Sequence, residues 1–238
     1  MDTEAQHVER DRSSSPPETT SEGQEDRSRS SLLSRAVTAV TDWLPGGRIT
    51  LAVLLCMAFL LAFSVFVMQP FQIPSSSMES TLRVGDRVLV NKLAYRFGAE
   101  PKRGDVVVFD GSGYFGDADY IKRVVGVGGD HVVCCDSKGS IEVNGQSVDE
   151  RSLLYAGDAA SNAPFDIKVP DGTLFLLGDH RSDSRDSRDY LGAPGGGFVP
   201  VDHVIGKAQW IAWPTGHWHS LSRDDVYARV PAAGGAHG

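Results

Sequence analysis

Cysteine is nearly absent from this chain, with three residues in 238. Cys56 sits in an apolar run, while Cys134 and Cys135 are adjacent. That usage excludes a disulfide framework, a Cys-x-x-Cys redox pair and a zinc-binding set. A bridge between neighbouring cysteines is strained, so the pair reads as two free, half-buried strand residues. The chain also lacks a G-x-S-x-G elbow, and its seven histidines fall mostly in polar loops and tails. His180, beside Asp179, is the histidine to test as a base. Positive charge is not in surplus either: the net charge is −8, without the basic footprint of a nucleic-acid binder.

Long hydrophobic runs are scarce, and the single one is informative. Ile49 to Met68 is free of charge and, at the helical rise, matches the ~30 Å hydrocarbon core of a bilayer. A cleavable signal has a shorter apolar region and a small-x-small site, and Val67-Met68-Gln69-Pro70 does not supply one. The run is therefore expected to be a retained transmembrane helix over 49–68. Arg27, Arg29, Arg35 and Arg48 precede it and the first charge after it is Glu79, which places the N-terminus in the cytoplasm and the rest outside. Residues 1–31 hold almost no large apolar side chains and are expected to be disordered. In 32–48, Leu32, Leu33, Ala36, Val37, Val40, Trp43 and Leu44 recur at helical spacing. They suit either an interfacial helix on membrane lipid or a loosely helical linker.

Beyond the run, helical periodicity gives way to short strands and turns. Gly85-Asp86, Gly104-Asp105, Gly129-Asp130 and Gly178-Asp179 separate or flank β-rich segments. Asn144-Gly145, between Ile141-Glu-Val and Gln-Ser-Val148, is a strong hairpin signal. The expected fold is mainly β: an antiparallel, barrel-like domain over 69–222, with a small inserted sheet or cap at about 134–169. Gly192–Gly197 reads as a mobile surface loop, and 223–238 as a C-terminal tail.

The chemistry gathers in two places. Just past the apolar run stands Ile73-Pro-Ser-Ser-Ser-Met-Glu-Ser-Thr-Leu82, rich in hydroxyls. A serine needs a base to attack at neutral pH. Lysine can serve if burial lowers its pKa from ~10.4, whereas arginine cannot lose its proton. Lys122 suits this best, lying in Tyr120-Ile-Lys-Arg-Val-Val125, a strand apolar on both faces. Its neighbour Arg123 should then reach solvent or a carboxylate.

These blocks closely resemble the bacterial type I signal peptidases, membrane-anchored Ser-Lys endopeptidases. The matching stretches are Phe71–Met78 with Thr81-Leu82, the Val84-Gly-Asp86 and Arg103-Gly-Asp105 turns, Tyr120–Gly126 with Gly129-Asp130, and Gly178-Asp179 through Arg188. The resemblance implies that Ser77 is the nucleophile and Lys122 the general base. Ser75 would complete the oxyanion hole with the Ser77 N–H, Ser184 would orient the lysine, and Asp186 with Arg188 would form a supporting ion pair. Ile73, Pro74, Met78, Leu82, Tyr120 and Ile121 would line the pockets for the substrate residues at −1 and −3, giving an Ala-x-Ala preference. The implied partners are secreted precursors carrying signal peptides, with no metal, cofactor or nucleic acid. Ser80 replaces the family's usual proline. His180, Ser182 and Asp183 also depart from the family pattern, and the inserted region is short. Two other readings are a Ser-Lys autoprotease of the SOS-repressor type, disfavoured by the membrane run and acidic N-terminus, and a non-enzymatic membrane-anchored β module.

Overall fold

The computed structural model describes residues 47–221 and 225–233, the side chains of Arg48, Val65 and Asp225 apart. The expectations for 1–31, for nearly all of 32–48 and for the rest of the C-terminal tail lie outside these residues. The chain divides into two compact units, one ending at Phe59 and the other starting at Leu60.

Helix α1, Gly47–Phe66, occupies most of the apolar run. Leu54, Leu55, Phe59 and Leu61 are all exposed, so its apolar character runs around the helix instead of forming one stripe. Among the described residues, no helix is long and apolar enough to cross a membrane. The apolar run also extends past the helix, because Met68 already opens the first strand.

The β domain holds two antiparallel sheets. The larger comprises β1 (Met68–Gln72), β2 (Arg87–Asn91), β3 (Val106–Asp110), β4 (Asp119–Val127), β9 (Thr173–Leu177), β10 (Val199–Pro200), β11 (Val204–Trp213) and β12 (His219–Ser220). Its order is β1-β2-β11-β3-β4-β9-β10, with β12 paired to β11. The smaller sheet comprises β5 (His131–Cys134), β6 (Ile141–Val143), β7 (Gln146–Ser147) and β8 (Phe165–Lys168), in the order β7-β6-β5-β8. It corresponds to the expected insertion and starts slightly earlier. Strand β3 explains how the core is divided. Val106 and Val108 pack into one apolar cluster and Val107 and Phe109 into another, so a continuous apolar run is buried on both faces.

The Gly-Asp pairs do more than turn the chain. Asp86, Asp105, Asp130 and Asp179 are all buried. Asp86 accepts the Arg83 N–H at 2.8 Å, Asp105 the Lys102 N–H at 3.0 Å and Asp130 the Val127 N–H at 2.8 Å. Each of these three carboxylates thus closes its own turn. Asn144 and Gly145 have φ of 53° and 78°, as the predicted two-residue hairpin requires.

Two expectations need correction. Cys134 and Cys135 are joined by a disulfide. β5 ends at Cys134, so Cys135 leaves the ladder and strand alternation no longer holds the two side chains apart. Part of the supposed tail, residues 225–233, folds back onto the domain and buries Tyr227 and Val230 in the core of the smaller sheet. The Gly192–Gly197 segment lies largely at the surface, as expected, and ends with Gly197 buried against the Ser187 carbonyl.

Candidate active site

The hydroxyl-rich segment is fixed from both ends. After β1, the Ile73 N–H donates to Asp86 O and the Gly85 N–H to Ile73 O, each at 2.9 Å. Farther on, Met78 and Leu82 are wholly buried and their turn is closed by Leu82 N–H to Met78 O at 2.8 Å. The serines between are therefore on a turn, with Ser76 directed away from its two neighbours. Ser75 is exposed, the Ser76 hydroxyl donates to the Asp183 carboxylate, and Ser77 is buried. Ser75 Oγ and Ser77 Oγ lie 3.3 Å apart.

Lys122 reaches this turn from β4. Its Nζ donates to Ser77 Oγ at 2.6 Å, and the residue is 3% exposed. No carboxylate among the described residues forms an ion pair with it. Burial lowers its pKa from 10.5 to about 8; the charges of Asp186 and Asp179 act in the opposite direction, while Arg188 reinforces the fall. The adjacent Arg123 stays cationic and is satisfied differently. Its Nε and Nη2 fork onto Asp179 at 2.8 and 2.6 Å, and Nη1 donates to Gly104 O at 2.9 Å. Of the two partners expected for Arg123, solvent or a carboxylate, it takes the carboxylate.

The segment after β9 forms the other wall. Gly178 donates its N–H to Asp186 Oδ2 at 3.0 Å, and Arg188 forks onto the same carboxylate at 2.8 and 2.7 Å. Asp186 also caps the short 3₁₀ turn Ser187–Tyr190, so the expected ion pair is built into a local capping box. Ser184 is buried against Gly178, but among the described residues its hydroxyl has no partner, Lys122 included. The His180 N–H donates to Ser77 O at 3.2 Å, whereas its ring stacks on Tyr155 at 4.0 Å and does not bond the Ser77 hydroxyl.

The expected pocket residues divide. Ile73, Met78 and Leu82 belong to one core cluster, with Ile121 packed against it. Pro74 is exposed, and Tyr120 packs into the neighbouring cluster with its hydroxyl on Phe115 O at 3.1 Å. Met78 and Leu82 have no exposed surface, so in this structure they support the wall from behind. Residues overlooked in the sequence are Asp179, which holds Arg123, and Asp183, which holds Ser76. A third is Thr81, which accepts from Arg123 Nη2 at 3.1 Å. Reading Gly178-Asp179 as a turn hid the charge that Arg123 needed. Among the described residues, no group of His, Cys, Asp or Glu could hold a metal ion.

Comparison with known proteins shows the family. The signal peptidase, peptidase S26 family matches residues 46–213. Signal peptidase I of Mycobacterium tuberculosis (strain H37Rv) is 36% identical over 226 residues, covering 73% of this chain and 76% of the relative. Probable signal peptidase I-2 of Synechocystis is 39% identical over 164 residues, covering 66% and 69%. Signal peptidase I of Pseudomonas fluorescens is 36% identical over 193 residues, covering 63% and 66%. The chain thus belongs to the signal peptidase family, peptidase S26, as a serine endopeptidase of the signal peptidase I type.

Proposed function

We propose that Ser77 is the nucleophile and Lys122 the general base in the cleavage of signal peptides from secreted precursors at small-x-small sites. The observation that carries this assignment is the 2.6 Å contact between Lys122 Nζ and Ser77 Oγ, made by a lysine that is buried without a counter-ion. A protonated lysine donates in this contact; the neutral amine presents a lone pair to the hydroxyl instead. The neutral form takes the Ser77 proton as Oγ attacks the −1 carbonyl, then gives it to the departing amine as the peptide C–N bond breaks. Lys122 next takes a proton from water, which attacks the ester, and Ser77 recovers its hydrogen as the acyl C–O bond breaks.

The oxyanion is assigned to the Ser77 N–H and the Ser75 hydroxyl. Two observations support this: the Ser77 N–H has no hydrogen-bond acceptor among the described residues, and Ser75 Oγ stands 3.3 Å from Ser77 Oγ. The precursor is expected to bind as an added strand. Asp119–Lys122 pair only with β3, because β9 joins β4 from Arg123 onward, so this half of β4 keeps an open side ending at Lys122. Ile73, Pro74, Tyr120 and Ile121 are proposed to line this open end and to take small −1 and −3 side chains. We assign supporting roles to Ser184, Asp186 and Arg188. The Ile49–Met68 run is proposed to anchor the enzyme in the cell membrane, with the β domain outside and next to membrane lipid.

The test is to incubate the purified full-length protein in detergent with a precursor carrying an Ala-x-Ala site. Cleavage after that site, lost in Ser77→Ala, is expected. Cleavage that survives in Ser77→Ala overturns the assignment.

A further inference from the structure

Glu150 stands in the loop between β7 and β8, well outside the Ser77 and Lys122 segments, with 3% of its surface exposed. Its Oε1 accepts two hydrogen bonds, from Arg181 Nη2 at 2.7 Å and from the Tyr227 hydroxyl at 2.5 Å. Arg181 is 1% exposed and gives its other donors to main chain: Nε to Gly178 O at 2.9 Å and Nη1 to Ala160 O at 2.5 Å. Tyr227 comes from the C-terminal segment that folds back onto the smaller sheet. Three distant parts of the chain thus meet on one buried carboxylate oxygen.

The loop also grips the catalytic turn. Glu150 O accepts the N–H groups of Leu153 and Leu154 at 2.8 and 3.1 Å, closing a tight turn. The Leu153 carbonyl of that turn accepts the Ser80 hydroxyl at 2.9 Å, and the Tyr155 N–H donates to Asp179 O at 3.1 Å. Gly178, whose carbonyl Arg181 holds, abuts Ser77: a Cβ there would stand 2.4 Å from Ser77 O. Arg181 therefore acts two contacts away from the nucleophile.

The cost of this arrangement argues against a purely structural role. Glu150 Oε2 is buried without a partner among the described residues, and buried ion pairs generally add less stability than apolar side chains of the same volume. What a rigid guanidinium fork supplies in return is direction. We propose that Glu150, Arg181 and Tyr227 are positioning residues that fix the Gly178–Arg181 segment, and with it Ser77 relative to Lys122. The C-terminal segment is then required for turnover and not for substrate affinity. This rests on the Ser77–Lys122 assignment.

The test uses full-length protein in detergent and a precursor substrate, with kcat, KM, the pH profile and the thermal midpoint measured for Tyr227→Phe, Glu150→Gln and Arg181→Lys. Tyr227→Phe keeps the ring and removes one hydrogen bond. Its kcat should fall about tenfold, less than the ~100-fold that an ångström of misplacement costs, with KM within about twofold of wild type. The acid limb of kcat/KM should move up by about half a pH unit as water gains access to Lys122. Arg181→Lys, which keeps the charge and loses the fork, should show the same pattern more strongly. Combining Tyr227→Phe with Glu150→Gln should cost less than the two separate losses together, since both act through one oxygen. Arg229→Ala, an exposed neighbour in the same segment, should behave as wild type. A lowered thermal midpoint with kcat and the acid limb unchanged overturns the proposal, even for a variant that folds poorly. Failure of Ser77→Ala to abolish cleavage in the same assay overturns the catalytic assignment instead.

Discussion

Gly178 and Ser77 are in such close contact that a Cβ on Gly178 would lie 2.4 Å from the Ser77 carbonyl oxygen and 2.2 Å from Ser184 Oγ. The glycine is required by this approach and not by its backbone angles. Gly85, Gly104 and Gly129, in the other Gly-Asp pairs, all have positive φ, whereas Gly178 does not. Gly178→Ala is accordingly expected to push the nucleophile turn away from Lys122. Turnover should fall by about 100-fold or more while the far-ultraviolet spectrum of the β domain is retained. Wild-type turnover in this variant would show that the turn shifts without disturbing the dyad.

Gly178 also marks where sequence reading stops. A glycine chosen for a turn and one chosen for close approach look the same in a sequence, so the pair was read only as punctuation. Lys122 stood out as a lysine among apolar residues of one strand, but its pairing with Ser77 came only from the family resemblance, and Arg123 beside it called for solvent or a carboxylate. The antiparallel class, the Asn144-Gly145 hairpin and the inserted sheet were legible through turn chemistry and alternation. The Glu150 hub was not, since its partners Arg181 and Tyr227 lie 31 and 77 residues away and carry no local pattern.

Lys122→Arg should be as inactive as Lys122→Ala, because a guanidinium cannot accept the Ser77 proton. In the wild type, kcat/KM should decline about tenfold per pH unit below the lysine pKa of about 8, as the base becomes protonated. An arginine variant with substantial turnover, or a flat profile between pH 6 and 8, would exclude Lys122 as the base.

The same lysine should cost stability. Its folded-state pKa of about 8 lies below the ordinary 10.5, so the folded protein holds its proton less tightly than the unfolded chain. The penalty is full below pH ~8, shrinks as pH rises toward ~10.5 and then vanishes, amounting to about 3 kcal/mol at its largest. Lys122→Met, of similar volume, should therefore be inactive yet more stable than wild type at pH 7, with the advantage fading by pH 10. Equal denaturant midpoints at both pH values would indicate that Lys122 is not destabilised by burial.

Membrane placement is tested separately. With the N-terminus inside, protease applied to intact spheroplasts should digest the part beyond Met68 and spare an N-terminal tag, as the arginines before the apolar run require. Loss of the tag with survival of the β domain would reverse the orientation.

The three adjacent serines should separate cleanly. Ser77→Ala should abolish turnover, because among the described residues Ser77 supplies the one hydroxyl that Lys122 contacts. Ser75→Ala should leave folding and KM intact while kcat drops about 10² to 10³-fold, the usual loss for one oxyanion donor. Ser76 donates to Asp183, and since that carboxylate is exposed, water can replace the hydroxyl. Ser76→Ala should then lose less than about tenfold in kcat, as expected for a partly exposed hydrogen bond. Equal losses at Ser75 and Ser76 would place the oxyanion donor elsewhere on the turn, and full activity in Ser77→Ala would move the nucleophile itself.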